Sequence, residues 1–268
     1  MSKLAGLVSI TAGEMVCWCM PTHADQWSEV TVAGHTCRIF EPTQSSPHGY
    51  TVLYLHGSHV ENLADHPRIS QQLEKHGLRA IAPITGVTWW SNRIAVEFDP
   101  AITVEQYLLQ HVMPYIAELW QCVPPRIALL GLSMGGQGAL RLSYKYPNIF
   151  PTVSAVFPAI DFQKRIDEGD ATLSRMYRDA EDGRQDTATL HIHPLNWPRN
   201  QWFCCDPDDV RWWDSADRLR MKLYSLGVPF ECDLETRAGG HTWKYFARMA
   251  EPAFAFIMER LERDRLRV

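Results

Sequence analysis

The chain lacks any apolar run near the roughly 18 residues that a membrane span needs, so no membrane role is expected. It also lacks an excess of positive charge. Twenty-six basic residues face 31 acidic ones, for a net charge of −5, which gives no electrostatic reason to expect nucleic acid or an anionic membrane as a partner. A disulfide framework is missing too. The seven cysteines (17, 19, 37, 122, 204, 205 and 232) are odd in number and irregularly spaced. Neither Cys17-Trp18-Cys19 nor Cys204-Cys205 has the spacing of a zinc site. Reduced thiols in a cytoplasmic protein are therefore expected. Residues Met1 to Ile10 carry one lysine and a short apolar stretch, without the long hydrophobic core of a secretory signal. No linker rich in Gly, Ser or Pro interrupts the chain, and no internal repeat is present. His191 and His193 form an isolated pair with no third ligand motif nearby, so no metal is expected.

What is present fits one sizeable domain spanning residues 1–268, with 46% hydrophobic content to fill its core. Short β-like runs at Val30–Val32 and Cys37–Phe40 predict an antiparallel hairpin. Continuous apolar runs at Tyr50–Leu55, Leu78–Ile84, Ile127–Leu130, Val153–Phe157, Gln201–Cys205 and Phe230–Leu234 predict buried strands. Helical patterns fall between them: Ile69–Lys75, Val104–Trp120, Met134–Tyr146, Ser215–Leu226 and Trp243–Arg265. Strands alternating with helices of this length predict an α/β fold, a mostly parallel central sheet with helices on both faces. Residues 160–198 are charge-rich and lose clean periodicity, which predicts a lid-like insertion. Arginines 260, 263, 265 and 267 alternate with Glu259, Glu262 and Asp264, which reads as a solvated helix end.

Gly131-Leu132-Ser133-Met134-Gly135 stands at a predicted strand-to-helix junction. Such a turn holds a serine exposed and strained, where its hydroxyl can attack a carbonyl, and small residues flank it because the backbone turns too sharply for neighbouring Cβ atoms. A serine nucleophile needs a base, an orienting acid and an oxyanion hole. In sheets of this kind these follow in the order Ser, Asp or Glu, His, each just beyond a strand end. His241, in Ala238-Gly239-Gly240-His241-Thr242-Trp243, follows the last strand and is the expected base. The acid lies in Cys204-Cys205-Asp206-Pro207-Asp208-Asp209, with Asp209 first, Asp208 second and Asp206 third. Backbone N–H groups of Met134 and of Ser58, in the turn His56-Gly57-Ser58, are the expected oxyanion donors. The turn is expected to need the backbone of Gly57 more than the imidazoles of His56 or His59.

The run Gly131–Leu140, with Tyr146-Pro147 and Phe150 behind it, resembles the esterase D branch of the α/β-hydrolases. That group includes S-formylglutathione hydrolases, feruloyl and acetyl-xylan esterases and mycolyltransferases. Pro158-Ala159-Ile160-Asp161-Phe162, Gly227-Val228-Pro229 and Gly239-Gly240-His241-Thr242-Trp243 are similar to the same group, so the likeness covers roughly residues 50–260. It implies an α/β-hydrolase fold, the triad Ser133, Asp209 and His241, and hydrolysis of a small-molecule ester through an acyl-enzyme without a cofactor. Where the family often reads Cys-Gly-Thr-x-Asp before the acid, this chain has Asp206-Pro207 in place of Gly-Thr. Its early turn is His56-Gly57-Ser58, where formylglutathione hydrolases tend to have Ser-Gly-Leu.

Thioester hydrolysis, carbohydrate deacylation, acyl transfer and a catalytically silent binding module are the rival readings, and a homo-oligomer is compatible with the sequence. Tryptophans gather at predicted loop positions. Trp89, Trp90, Trp213 and Trp243 are candidates for an aromatic wall around an acyl, aryl or sugar group, against the plainer reading that they pack the lid onto the body. Arg93 and Glu97 are weaker candidates for contact with a polar leaving group.

Overall fold

The computed structural model describes residues 26–60 and 63–267; Met1–Ile10, Cys17 and Cys19 lie outside the described residues. An eight-stranded sheet forms its centre, in the order β1-β2-β4-β3-β5-β6-β7-β8. β1 (Trp27–Val32) and β2 (His35–Phe40) form the expected hairpin, and β2 runs antiparallel to β4 (Arg79–Pro83). From β4 onward every neighbour is parallel: β3 (Thr51–Leu55), β5 (Ile127–Leu132), β6 (Thr152–Val156), β7 (Asn200–Cys204) and β8 (Glu231–Asp233). Every residue of β3, β5, β6 and β7 is buried, as a sheet covered on both faces requires. β8 is shorter than its apolar run because it is the exposed edge, and Phe230 and Leu234 flank it without pairing.

Helix α1 (Pro67–His76) packs against α9 (Trp243–Arg265), and α9 lies along β6 and β7. α4 (Met134–Lys145) covers β3, β5 and β6. The amphipathic stretch after residue 103 divides into α2 (Val104–Tyr107), a π-helical turn (Leu108–Val112) and α3 (Met113–Trp120), opened by a capping box on Thr103. α8 (Trp213–Ser225) precedes the edge strand.

Between β6 and β7, residues 160–198 hold three short helices: α5 (Phe162–Asp167), α6 (Ala171–Met176) and α7 (Ala180–Gln185). Each begins at an aspartate whose side chain accepts backbone N–H groups: Asp161, Asp170 and Asp179. Six-residue helices are too short to print a 3.6-residue period, which explains why the sequence showed none.

This segment is fastened to α4 by a buried ionic network. Arg141 (1% exposed) pairs with Glu105 of α2 and with Asp186, whose Oδ1 lies 2.9 Å from Nε and 2.5 Å from an Nη. Glu105 also accepts Lys145 Nζ at 2.6 Å and Tyr146 Oη at 2.7 Å, and Asp186 accepts Tyr177 Oη at 2.7 Å. Removing one member of a buried pair strands the other, so Arg141→Met is expected to cost about 3–5 kcal/mol in urea unfolding. Burial opposes the charge on both acids. Arg141, Lys145 and Tyr146 outweigh it at Glu105, and His191, Arg141 and Tyr177 outweigh it at Asp186, so both carboxyls sit below the usual range. A depressed carboxylate stabilises fully above its unfolded pKa of about 4 and loses that contribution as pH falls through its folded value. Urea midpoints should therefore drop below about pH 4, and less steeply for Glu105→Gln than for wild type.

The C-terminal helix end differs from the sequence reading of a solvated stretch. Arg260 and Asp264 are buried, Asp264 accepts the Asn200 amide at 2.9 Å, and Arg263 donates to Asn200 Oδ1 at 2.7 Å. Asn200 at the start of β7 gives Asp264 and Arg263 a partner, and Glu231 of β8 gives one to Arg260, none of which the helix's own sequence reveals.

Candidate active site

Ser133 stands between β5 and α4 at φ +56° and ψ −116°, a backbone conformation that few L-residues adopt. The neighbouring glycines allow it. A Cβ on Gly131 would lie 2.0 Å from the Gly135 carbonyl oxygen, and one on Gly135 would lie 1.9 Å from that of Leu55. The elbow is pinned at its own backbone: the Ser133 N–H donates to Val156 O, and Ser133 O accepts the N–H of Ala159, both at 3.0 Å.

His241 Nε2 lies 2.9 Å from Ser133 Oγ, and its Nδ1 lies 2.6 Å from Asp209 Oδ2. A carboxylate can only accept, so Nδ1 carries the proton and Nε2 is left to accept from the serine hydroxyl. The imidazole rests against Phe157, with ring centroids 4.3 Å apart, and its side chain is 35% exposed. Asp209 is buried (3% exposed); Oδ1 accepts the Trp212 N–H at 3.2 Å, and the Cys205 thiol donates to Oδ2 at 3.8 Å. Burial and the Asp209 charge push the Cys205 thiol far up, so it is a donor and not a thiolate.

The three aspartates of the β7 turn divide among three tasks. Asp209 meets His241. Asp208 points outward to Arg237. Asp206 is fully buried and accepts the N–H groups of Ala238 (2.6 Å) and Gly240 (2.8 Å) on one oxygen and of Asp208 (2.8 Å) on the other. Burial works against its charge, yet these backbone donors hold its carboxyl below the usual range. Asp206 therefore fixes the loop that delivers His241. The turn to Asp208 is a local pattern legible in sequence. The bonds to residues 238 and 240 are not, because more than thirty residues intervene.

The turn after β3 is built on an imidazole. His56 is buried; its Nε2 accepts the Thr85 N–H at 3.1 Å, so its Nδ1–H donates to Gly57 O at 2.7 Å. The peptide is planar and trans, so holding that carbonyl toward His56 puts the Ser58 N–H on the opposite side. A Cβ on Gly57 would lie 3.5 Å from Ser133 Cβ, which brings this turn beside the serine. Met134 opens α4, so its N–H belongs to the helix's free N-terminal set. The sequence reading gave His56 no structural task, and its ring proves to hold the turn.

Two of the four candidate tryptophans are packed inside the body. Trp90 is fully buried, donates its indole N–H to His56 O at 3.1 Å, and presses on Gly138, where a Cβ would fall 2.3 Å away. Trp89 is 3% exposed and packs edge-on against Phe162. Neither offers a free ring face, which corrects the expectation for these two. Trp213 donates to Leu234 O at 3.1 Å, and Trp243 stacks on His66 with centroids 3.4 Å apart. Arg93 and Glu97 are engaged with Asp182 (2.9 Å) and Arg175 (2.6 Å), tying the long loop to the 160–198 segment. His191 is bound to Asp186 at 3.0 Å, and among the described residues no group of three or more metal-ligating side chains occurs. No described helix is long and apolar enough to cross a membrane.

The Esterase family model matches residues 33–253. No protein of curated function matches the chain in sequence. Among solved structures, a ferulic acid esterase superposes with a TM-score of 0.70 at 16% identity, covering 88% of this chain and 97% of its own. An S-formylglutathione hydrolase from Agrobacterium tumefaciens gives 0.70 at 15% identity, covering 88% and 94%. The fluorophosphonate-binding serine hydrolase F of Staphylococcus aureus gives 0.68 at 15%, covering 87% and 98%. At these identities the likeness is one of fold, the α/β-hydrolase fold.

Proposed function

Because the chain belongs to the Esterase family and is a serine esterase of α/β-hydrolase fold, we propose that Ser133, His241 and Asp209 are its catalytic triad. The observation that carries this reading is the unbroken chain of hydrogen bonds from Ser133 Oγ through His241 to Asp209. Ser133 attacks the ester carbonyl while His241 Nε2 takes its proton. Asp209 holds the imidazole in the required tautomer and stabilises the imidazolium. The N–H groups of Ser58 and Met134 face the developing oxyanion. His241 then gives its proton to the leaving oxygen, and water attacks the acyl–Ser133 ester by the same route in reverse. No step requires a metal or organic cofactor.

We place this chemistry in a single domain whose 160–198 segment caps the body through the Arg141 network. The described cysteines are all free thiols, which supports a cytoplasmic setting. Trp213 and Trp243 are the tryptophans retained as flanks of the substrate.

The test is an active-site probe. A fluorophosphonate should label the wild-type protein stoichiometrically at Ser133, and an unlabelled wild type would leave only the silent binding module. Turnover of p-nitrophenyl acetate, acylated xylan and S-formylglutathione then separates a general carboxylesterase from a carbohydrate esterase and a thioesterase.

A further inference from the structure

Arg68, Arg199, Lys244 and Arg248 are the lysines and arginines, among the described residues, whose side chains make neither an ion pair nor a hydrogen bond. All of them but Arg199 line one cleft of about 300 Å³ between α1 and α9, together with Gln71, Gln72 and Glu251. The other described lysines and arginines each have an ion-pair or hydrogen-bond partner, down to surface pairs such as Lys75 with Glu251 (3.0 Å). Three exposed cations set together with no ion pair or hydrogen bond of their own are a different arrangement.

Their positions sharpen the point. Arg68 lies in the first turn of α1 and Lys244 in the first turn of α9, and neither first turn contains an acid. A helix N-terminus carries partial positive charge, so a cation there is unfavourable, and two on adjoining helices repel each other as well. Arg248 draws on the charges of Glu251 and Asp233, but the first turns of α1 and α9 hold no acid to offset Arg68 and Lys244, and an anion seated in the cleft would supply that offset.

The chain connects the cleft to the proposed catalytic site through the start of α9. Lys244 follows His241 by three residues, and the first turns of the two helices are joined by the stack of His66 on Trp243. His241 protonates the leaving group, so that group departs on the side of His241 and of the α9 start. Resting on the triad reading above, we propose that the α1–α9 cleft is an anion subsite for the alcohol half of the substrate. The preferred ester then carries an oxyanion, carboxylate or phosphate, on its leaving alcohol.

Matched acetate esters test this: 4-acetoxybenzoate against neutral 4-acetoxybenzamide, with 4-acetoxyphenyl phosphate as the second anion. Wild type should favour the anionic esters by about tenfold in kcat/KM, mainly through KM, as expected for partly solvated charge pairs. The larger gain identifies carboxylate or phosphate. The preference should fall to about unity in Arg68→Gln/Arg248→Gln and persist in Arg199→Gln, and inorganic phosphate should inhibit competitively against the anionic ester. Calorimetry with inorganic phosphate should detect saturable binding to wild type and to Ser133→Ala alike, weakened at least tenfold in the double variant. Binding that survives in Ser133→Ala separates the fate of this proposal from that of the triad. No saturable phosphate binding, binding undiminished in the double variant, or an anionic-to-neutral ratio equal in wild type and double variant would each overturn it.

Discussion

Ser133→Ala is expected to lower kcat for p-nitrophenyl acetate by about 10⁴- to 10⁶-fold and to abolish fluorophosphonate labelling, with the urea midpoint little changed. The size follows from what is lost. Without Oγ there is no covalent intermediate, and His241 has no hydroxyl to deprotonate. The oxyanion donors and the binding surface remain, so a residual acceleration of about 10³- to 10⁴-fold over water is the floor. Alanine adds no atom to a turn already closed by Gly131 and Gly135, which is why folding should be spared. A variant keeping a tenth of wild-type kcat would place the nucleophile elsewhere.

Asp209→Asn should cost about 10⁴-fold in kcat while the protein stays folded. The amide can donate to Nδ1, which leaves the proton on Nε2, pointing at Ser133 Oγ where a base is needed. Asp208→Asn should leave kcat nearly unchanged, because Asp208 faces solvent and Arg237. Asp206→Asn should fall between, since one amide cannot accept all the N–H groups of residues 208, 238 and 240. Steady-state kinetics on the three variants, with circular dichroism to verify folding, gives the order. A mild Asp209→Asn with a severe Asp208→Asn would transfer the acid.

These three aspartates also mark where sequence reasoning reaches its limit. The sheet was legible because long apolar runs alternate with amphipathic helices, and Ser133 was legible because a tight strand-to-helix turn needs glycine at fixed places. His241 followed from chain order. The aspartates lie within four residues of one another, and only the fold decides which faces the imidazole. Arg141 is a harder case. A lone arginine in a helix reads as surface, yet its partners Glu105 and Asp186 lie 36 and 45 residues away and draw it inside. His56 and Trp90 likewise acquire their tasks only from the packing around them.

The turn after β7 has one more consequence. Asp206 grips the backbone that carries His241, and Asp209, three residues on, grips the ring itself. Loop and imidazole thus take their bearings from a single short stretch of chain, and a shift of that stretch would carry the proposed base and acid together. Ser133 belongs to a different body, the β5–α4 elbow. Of the two hydrogen bonds in the relay, only the 2.9 Å gap between His241 Nε2 and Ser133 Oγ spans a joint. On the proposed mechanism that joint is also the place where Ser133 would move in turning from nucleophile into acyl carrier.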